Sequence, residues 1–234
     1  MKIGAVIPAA GQGRRMQANC NKQYLSLKNR PILAYTLEVF ENHPAIEEIV
    51  VVVGLDEFDL CREMVIEPGK LKKVKMTAGG TTRQQSVYAG LCALDASTDM
   101  VLIHDGARPF ADNALLNRCI QETAEYHATI AAVPAKNTIK QVSKEGIVEA
   151  TPDRQFLWEV QTPQSFDYKL IVEAHKKARA DGVEGTDDAF LVERLGIPVK
   201  VVEGRYDNIK ITTPEDLAIA ESLIEFFAMP SGCI

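Results

Sequence analysis

The chain has 234 residues, 46% of them hydrophobic and 25% charged, which is typical of a globular protein with one large or two small domains. This balance excludes disorder and collagen-like repeats, and the longest aliphatic run, Ile49–Val53, is far shorter than the roughly 20 residues of a membrane helix. A net charge of −6 argues against nucleic acid as a partner, because such binders usually carry a broad basic face. The amino end lacks a signal-peptide layout. We therefore expect a soluble, cytoplasmic protein.

The elements alternate along the chain between short β-branched runs and stretches of helical spacing, which predicts an α/β fold with a mostly parallel sheet and helices on both faces. The predicted strands are Ile3–Pro8, Glu48–Gly54, Lys73–Thr77, Met100–His104 and Ile130–Pro134. The predicted helices are Ile32–Asn42, Phe58–Ile66, Gln84–Asp95, Asn113–Tyr126, Tyr168–Asp181, Asp187–Leu195 and Pro214–Phe227.

One segment departs from this alternation. Between Thr138 and Thr151, two alternating polar and apolar runs flank the turn Ser143–Gly146, which predicts a β-hairpin without a covering helix. No linker or internal repeat interrupts the chain. We therefore predict a single domain, residues 1–234, with a projecting arm at about 135–157.

Charge and cysteine usage narrow the possible ligands. The residues before Glu38 include six basic and no acidic side chains, so this stretch carries +6 and the remainder −12, and we expect the stretch to meet anions. The five cysteines are widely spread and form no C-x-x-C pair, and the four histidines show no ligand spacing. These patterns predict reduced thiols and no zinc.

The loop after the first strand, Pro8–Met16, is rich in small residues and can bring backbone N–H groups close to a phosphate chain. It has neither the Walker spacing nor the third glycine of the Rossmann fingerprint. By itself it is equally well explained as a glycine-rich turn beside a solvated arginine pair, Arg14 and Arg15. The acid-free stretch around it, which continues to Lys22, favours phosphate binding.

The fourth predicted strand places Asp105 at its carboxyl end, where open α/β sheets bind ligands. A carboxylate there suits Mg²⁺ held jointly with phosphates. His104 precedes it and points to the opposite face, so we interpret His104 as a buried, hydrogen-bonded residue rather than a general base. Arg108 could bind a phosphate or pair with Asp105.

Two further clusters allow a structural and a functional interpretation. Gly79–Ser86 leads into a helix and could place Arg83 and Ser86 against a base, or it could be a helix entry with a hydroxyl cap. Gly204–Lys210 offers a carboxylate and an ammonium group close together, or an ion pair on a strand end.

The sequence contains no serine elbow, and none of its cysteines lies in an evidently activating context. This pattern favours a reaction in which one phosphate attacks another, because the attacking oxygen is already ionised at pH 7. Such a reaction needs positioning and charge neutralisation by Arg, Lys, Mg²⁺ and backbone amides rather than a general base.

Taken together, the motifs resemble, in order and over nearly the whole chain, those of the 2-C-methyl-D-erythritol 4-phosphate cytidylyltransferase family. The matching segments are Pro8–Met16, Lys22–Tyr24, Gly79–Ser86, His104–Pro109, Asp153–Trp158, Gln161–Gln164, Thr186–Asp187 and Asp207–Thr212. Two positions depart from the family pattern: Asn21 stands where proline often precedes the lysine, and Gly106 where alanine is common.

The resemblance implies a Rossmann-like nucleotidyltransferase fold that transfers CMP from CTP to methylerythritol phosphate in the non-mevalonate isoprenoid pathway, with Mg²⁺ as cofactor. It also implies a homodimer whose arms complete composite active sites. The implied nucleotide-binding residues are Ala9, Ala10, Gly11, Gly13, Gly80, Arg83 and Ser86, and the implied catalytic residues are Arg15, Lys22 and Lys210. The implied substrate-binding residues are Arg108, Thr138, Arg154, Thr162, Thr186, Asp207 and Lys210, and the implied metal ligand is Asp105.

Two alternatives remain at the sequence level. A ribitol 5-phosphate cytidylyltransferase would share the CTP half, although Asp153–Trp158 follows the methylerythritol pattern. A non-catalytic CTP-sensing module predicts the loss of Lys22, Asp105 or Lys210, and all three are present.

Overall fold

The computed structural model describes residues 1–11 and 21–228. The strands, in chain order, are β1 (Ile3–Pro8), β2 (Ser26–Leu27), β3 (Arg30–Pro31), β4 (Ile46–Val53), β5 (Val74–Ala78), β6 (Met100–Ile103), β7 (Ala128–Pro134), β8 (Gln141–Val142), β9 (Val148–Ala150), β10 (Trp158–Asp167) and β11 (Lys200–Glu203).

The helices are α1 (Ile32–Asn42), α2 (Phe58–Cys61), α3 (Glu67–Gly69), α4 (Arg83–Ala93), α5 (Asn113–Tyr126), α6 (Tyr168–Ala180), α7 (Asp188–Glu193) and α8 (Pro214–Ala228). A π-helical turn, Arg62–Ile66, joins α2 to α3, so the helix predicted to end at Ile66 continues to Gly69. Short 3₁₀ turns lie at Lys22–Tyr24, Leu55–Glu57 and Arg154–Phe156.

Seven strands form one sheet in the order β11-β7-β10-β6-β1-β4-β5. Neighbouring strands pair in parallel except at β10, which runs antiparallel to both β6 and β7. One apolar cluster packs α1 and α5 against one face of the sheet, and a second packs α4, α6 and α7 against the other. The predicted α/β fold, with a mostly parallel sheet and helices on both faces, is confirmed.

Two strands of this sheet, β10 and β11, were absent from the sequence prediction. Strand β10 contains Pro163 and a run of polar residues, which normally argue against a central strand. The structure accommodates them because the pairing of β10 with β7 shifts register between Val160 and Gln164. This irregularity directs Thr162 towards the end of β6, where its hydroxyl group contacts the backbone N–H of Asp105.

The predicted hairpin is present as a separate two-stranded sheet of β8 and β9. Its apolar side chains are exposed: Ile147 is 66% accessible, Val148 55% and Val142 53%. A two-stranded hairpin is marginal alone in water, so these side chains lack the cover that apolar residues usually find. The hairpin remains a predicted dimerisation arm.

The last helix, α8, packs on the small β2–β3 ladder through Leu27, Ile32, Ile211 and Ala220. The backbone N–H of Ile211 also donates to the Ala107 carbonyl at 2.9 Å. The segment that carries Lys210 is thereby attached to the loop that follows β6. Within residues 1–11 and 21–228, no helix is long and apolar enough to cross a bilayer.

Candidate active site

A cavity of about 220 Å³ opens at the carboxyl ends of β1 and β6, beside the first turn of α4. It is bounded by nine of the residues that the sequence assigned to the site: Ala9, Ala10, Gly11, Lys22, Gly80, Arg83, Ser86, Asp105 and Lys210. These residues come from five separate stretches of the chain. A larger cavity of about 610 Å³ lies between α4 and α6, but it contains none of the predicted residues.

Two glycines let the loop after β5 pack closely, Gly79 against the loop after β1 and Gly80 against the first turn of α4. A Cβ atom at Gly79 would lie 2.5 Å from the Ala10 Cβ, and one at Gly80 would lie 2.5 Å from the Gln85 Cβ. Both distances are shorter than real side chains tolerate. A larger residue at Gly79 would push the loop after β1 away, and one at Gly80 would displace the first turn of α4.

The start of α4 is held by hydroxyl groups. Thr82 caps the helix by accepting from the Gln85 backbone N–H at 3.2 Å, and Ser86 accepts from the Gly80 N–H at 3.1 Å. The Ser86 hydroxyl in turn donates to the Thr82 carbonyl at 2.9 Å. The hydroxyl cap that was the structural alternative is therefore real, and the same turn also faces the cavity.

Three cationic side chains of the site converge on the Asp105 carboxylate. Its Oδ2 lies 2.8 Å from Lys210 Nζ and 3.7 Å from Arg108 Nε, and its Oδ1 lies 3.3 Å from Arg83 Nε. Burial alone disfavours the carboxylate, but Arg83, Lys210 and Arg108 outweigh burial and hold the pKa of Asp105 well below its ordinary value. Asp105 therefore stays ionised and collects three cations around one point.

Behind Asp105, His104 forms part of a buried hydrogen-bond chain. Its Nε2 contacts the Arg108 carbonyl at 3.0 Å, so Nε2 carries the hydrogen and Nδ1 accepts from the Thr162 hydroxyl at 3.0 Å. The Thr162 oxygen accepts in turn from the Asp105 N–H at 3.1 Å. Burial lowers the pKa of His104 to about 4. His104 is thus a buried, hydrogen-bonded residue, as its position on the strand predicted.

Arg83 is held from its far side by Asp188, a residue without a role in the sequence prediction. Asp188 is buried, and its Oδ2 pairs with Arg83 Nη1 at 2.8 Å while its Oδ1 contacts His175 Nε2 at 3.2 Å. Burial opposes the charge of Arg83, but Asp188 and Asp105 outweigh burial and raise its pKa. Asp188 directly follows the Thr186–Asp187 motif. The two adjacent acidic residues, Asp187 and Asp188, were the sequence signal that could have identified it.

Arg108 and Asn208 connect the cavity to the segment after β11. Arg108 Nη1 donates to the Asn208 carbonyl at 2.7 Å, and the buried Asn208 side chain donates to the Thr162 carbonyl at 2.8 Å. Asp207, next to Asn208, accepts from Arg205 Nε at 2.8 Å, and Arg205 also pairs with Asp112. The ion pair predicted as the structural alternative for this segment thus joins Asp207 to Arg205, whereas Lys210 pairs with Asp105.

Three predicted substrate-binding residues lie away from this cavity. Thr138 and Arg154 are exposed on the arm side, where Arg154 borders a separate open cavity with Lys136 and Asp153. Thr186 is exposed on the loop before α7. Gly13 and Arg15, predicted to bind the nucleotide and the triphosphate, lie outside the described residues.

The donor set around Asp105 does not fit a protein-held Mg²⁺ ion. Both of its carboxylate oxygens already face cations, and a divalent ion would add two positive charges to three. Among the residues that the structure describes, no three His, Cys, Asp or Glu side chains converge as a metal site. In the structure the Asp105 carboxylate orders the cationic side chains, and its role as a ligand of Mg²⁺ held jointly with phosphates stays a prediction.

The comparisons with known proteins agree with this geometry. The IspD family model, described as 2-C-methyl-D-erythritol 4-phosphate cytidylyltransferase, matches residues 3–225. Relatives with that name include proteins from Desulforamulus reducens, 50% identical over 95% of this chain and 96% of the relative, and from Geobacter metallireducens, 51% identical over 96% and 98%.

Solved structures give the same result. The 4-diphosphocytidyl-2C-methyl-D-erythritol synthase of Anaerococcus prevotii superposes with a TM-score of 0.86 at 37% identity, covering 96% of each chain. The 2-C-methyl-D-erythritol 4-phosphate cytidylyltransferase of Thermus thermophilus gives 0.79 at 35% identity, covering 96% of this chain and all of the other. With its fold, its cationic cavity and its sequence in agreement, the chain belongs to the 2-C-methyl-D-erythritol 4-phosphate cytidylyltransferase family of CTP-dependent nucleotidyltransferases.

Proposed function

We propose that the cavity around Asp105 transfers CMP from CTP to 2-C-methyl-D-erythritol 4-phosphate and releases pyrophosphate, as a step of the non-mevalonate route to isoprenoids. The observation that carries the proposal is the meeting of Lys22, Arg83 and Lys210 with small-residue backbone loops in one cavity. An acceptor phosphate oxygen attacks the α-phosphorus of CTP, the new P–O bond forms, and the bond to the bridging oxygen of the pyrophosphate breaks. No proton has to be removed, because the acceptor phosphate is already ionised near pH 7.

The residues that line the cavity would form the CTP half of the site. Backbone groups of Ala9, Ala10, Gly11 and Gly80, with the Ser86 hydroxyl, would hold the cytidine, and Gly13 and Arg83 would assist. Lys22 and Arg15 would bind the triphosphate. Both would stabilise the charge that grows on the α-phosphoryl group and the leaving pyrophosphate. Because Asp105 is engaged with cations, we assign any magnesium requirement to the CTP rather than to a protein-held ion.

The acceptor half lies on the other side of Asp105. Lys210, held at 2.8 Å from Asp105, would present its ammonium group to the attacking phosphate. Arg108 and Thr162 lie beside that position through their contacts with Asp105. Asp207 would approach from the segment that carries Lys210, and Thr186 from the loop before α7.

Arg154 and Thr138 would complete the acceptor half from a second chain. Both are exposed on the arm side of the molecule, and the arm presents uncovered apolar side chains. An isologous dimer that exchanges its arms would cover those side chains and bring Arg154 to the partner's cavity. The homodimer, its composite sites and a cytoplasmic location remain proposals.

The test is pyrophosphate release from CTP with Mg²⁺ and the acceptor varied. We expect release with methylerythritol phosphate and little with ribitol 5-phosphate. Turnover with ribitol phosphate alone would contradict the assigned acceptor. CTP binding without turnover on either acceptor would favour a CTP-sensing module.

A further inference from the structure

A buried carboxylate lies behind the cavity, in the loop after β4. Glu57 ends the 3₁₀ turn Leu55–Glu57 and is only 5% exposed. The described lining of the cavity does not include it. Its Oε2 accepts from the Gly54 backbone N–H at 2.8 Å, which ties the carboxylate to its own loop.

The remaining contacts of Glu57 reach the two residues on either side of Lys22. Asn21 Nδ2 donates to Oε1 of Glu57, and Gln23 Nε2 lies 3.4 Å from each carboxylate oxygen. Gln23 is buried, and Lys22 between these two neighbours lines the cavity. One carboxylate therefore holds both flanks of the residue that the proposed mechanism needs at the triphosphate.

The groups that surround the Glu57 side chain favour a hydrogen-bond acceptor at that position. Each of the three groups that contact it is an N–H donor, so a carboxylate satisfies them without rearrangement. A Cβ atom at Gly54 would lie 3.1 Å from both Cγ and Oε2 of Glu57, so glycine leaves the room that the carboxylate occupies. The next residue along, Tyr24, is buried in the core cluster that also contains Cys61, which fixes the turn Lys22–Tyr24 from its other end.

We propose that Glu57 is a positioning residue that acts through Lys22 in CMP transfer, an inference that rests on the proposed function. The lysine side chain has four rotatable bonds, so the place of its ammonium group depends on how firmly its backbone is held. A displacement of about 1 Å in a catalytic group can cost on the order of 100-fold in rate. Glu57 supplies that constraint without touching the substrate.

The first experiment compares Glu57→Ala and Glu57→Gln in single-turnover and steady-state reactions with CTP and methylerythritol phosphate. Glu57→Ala should lower the rate of the chemical step by about 10- to 100-fold while the KM for CTP changes little, because Lys22 acts mainly on charge that develops in the transition state. Glu57→Gln should recover most of the rate. Rotation of the Asn21 and Gln23 amides can restore its hydrogen bonds.

The second experiment repeats Glu57→Ala in a Lys22→Ala background, where a residue that acts through Lys22 has nothing left to position. The double variant should react at the rate of Lys22→Ala alone. Glu48→Ala is the matched control, because Glu48 is a carboxylate of similar burial on β4 that accepts from the Asp95 N–H at 3.0 Å and pairs with Lys75. The control should lower the thermal unfolding midpoint and leave kcat near wild type.

If the wild type is active and a folded Glu57→Ala variant keeps the wild-type kcat, the inference about Glu57 fails while the proposed function stands. The same holds if Glu57→Ala lowers the rate by an equal factor with and without Lys22. Absence of CMP transfer by the wild type would overturn the proposed function and this inference together. If Glu57→Ala does not fold, Asn21→Ala removes one donor at a half-buried position, and we expect a smaller loss of kcat that again disappears in the Lys22→Ala background.

Discussion

The cavity around Asp105 and the arm around Arg154 are built in opposite ways. In the cavity, Asp105 is only 7% exposed and meets three cations within 3.7 Å. On the arm side, Arg154 is exposed and its Nη1 donates to the Lys136 carbonyl at 2.6 Å, while Ile147 in the hairpin is 66% accessible. The cavity contacts are satisfied within one chain, whereas the arm leaves apolar surface without cover.

This difference separates the two halves of the proposed reaction. The CTP half depends on contacts that each chain makes for itself, so a substitution there should act in every chain that carries it. The acceptor half is proposed to borrow Arg154 from a partner, so a substitution there should act on the neighbouring site. Variants of the two kinds should therefore behave differently when chains are mixed.

The largest expected effect is the loss of Lys22 from the CTP half. Lys22→Ala should lower kcat by about 100- to 1,000-fold, the usual loss when one electrostatic partner of a transition state is removed. The KM for CTP should rise much less, because the ammonium group gains most from charge that develops during transfer. Steady-state kinetics with varied CTP measure both constants.

Lys28→Ala is the control for this prediction. Lys28 belongs to the same acid-free stretch, but its ammonium group pairs with Glu225 on the surface of α8. The Lys28→Ala variant should have the same kcat and the same KM for CTP as the wild type. A raised KM with near-normal kcat in Lys22→Ala would make Lys22 a ground-state anchor for CTP.

The positions of Asp105 and of residues 9–11 could be predicted from the sequence because both depend on local patterns. A β-branched run predicts a buried strand, and its end predicts the ligand edge of the sheet. Asp188 and Glu57 could not be assigned in the same way, since their roles arise from contacts with Arg83 and Gln23 that are distant in sequence. Strand β10 was missed because Pro163 and its polar neighbours carry no strand signal until β6 and β7 pair with them.

The substrate-binding roles of individual residues were implied by the family resemblance and not by any spacing pattern in the sequence. Nothing in the spacing of Arg154 or Thr186 shows that either meets a substrate, and within one chain both are exposed. The metal role of Asp105 was an inference from residue type, and it did not anticipate that Arg83, Arg108 and Lys210 converge on one carboxylate.

Mixing two inactive variants tests whether each active site takes residues from both chains of a dimer. Arg154→Ala and Lys22→Ala chains should each be nearly inactive alone. If arms exchange, half of the randomly paired dimers are mixed and each rebuilds one intact site, so about a quarter of wild-type activity should return. Pyrophosphate release after equal mixing and subunit exchange measures the recovery.

The control for mixing is a pair of variants from the same half, Lys22→Ala with Lys210→Ala. Both residues line one cavity in one chain, so no dimer rebuilds a site and no activity should return. Proof of exchange comes from mass differences between tagged chains. A mixture of Arg154→Ala and Lys22→Ala that exchanges subunits yet stays inactive would place Arg154 in its own chain's site.

A smaller effect is expected from the support of Arg83 within the cavity half. Removing one partner of a buried ion pair costs about 3–5 kcal/mol, and Asp188→Asn should fall at or below the lower end because the Arg83 side chain is 31% exposed. Denaturant unfolding measures the loss. Asp181→Asn, which breaks surface pairs with Lys177 and Arg194, is the control and should lose far less. Equal losses in the two variants would mean that Asp188 contributes as a surface charge does.

The last effect concerns the pH dependence that the buried His104 gives to the cavity half. Burial lowers its pKa from the ordinary value of 6.5 to about 4. Between these values the unfolded chain binds a proton that the folded chain does not, so the free energy of unfolding falls as the pH is lowered from 6.5 towards 4. The full shift corresponds to about 3 kcal/mol.

His104→Asn should remove this part of the pH dependence, because asparagine does not titrate. The variant will be less stable at neutral pH, since it loses contacts to Arg108 and Thr162, but its unfolding free energy should fall less steeply below pH 6.5 than that of the wild type.

His43, whose pKa burial also lowers, is present in both proteins, so the difference between the two slopes isolates His104. Asp105, whose pKa in the folded chain is held well below the ordinary value, adds a slope of the same sign near pH 4, where the unfolded carboxyl begins to bind a proton. It is present in both proteins, so its slope also cancels in the difference. Parallel curves for the two proteins between pH 4 and 6.5 would show that His104 titrates alike in the folded and unfolded chains. The hydrogen-bond chain behind Asp105 would then be open to water, and the contrast between a closed cavity and an uncovered arm would lose its physical basis.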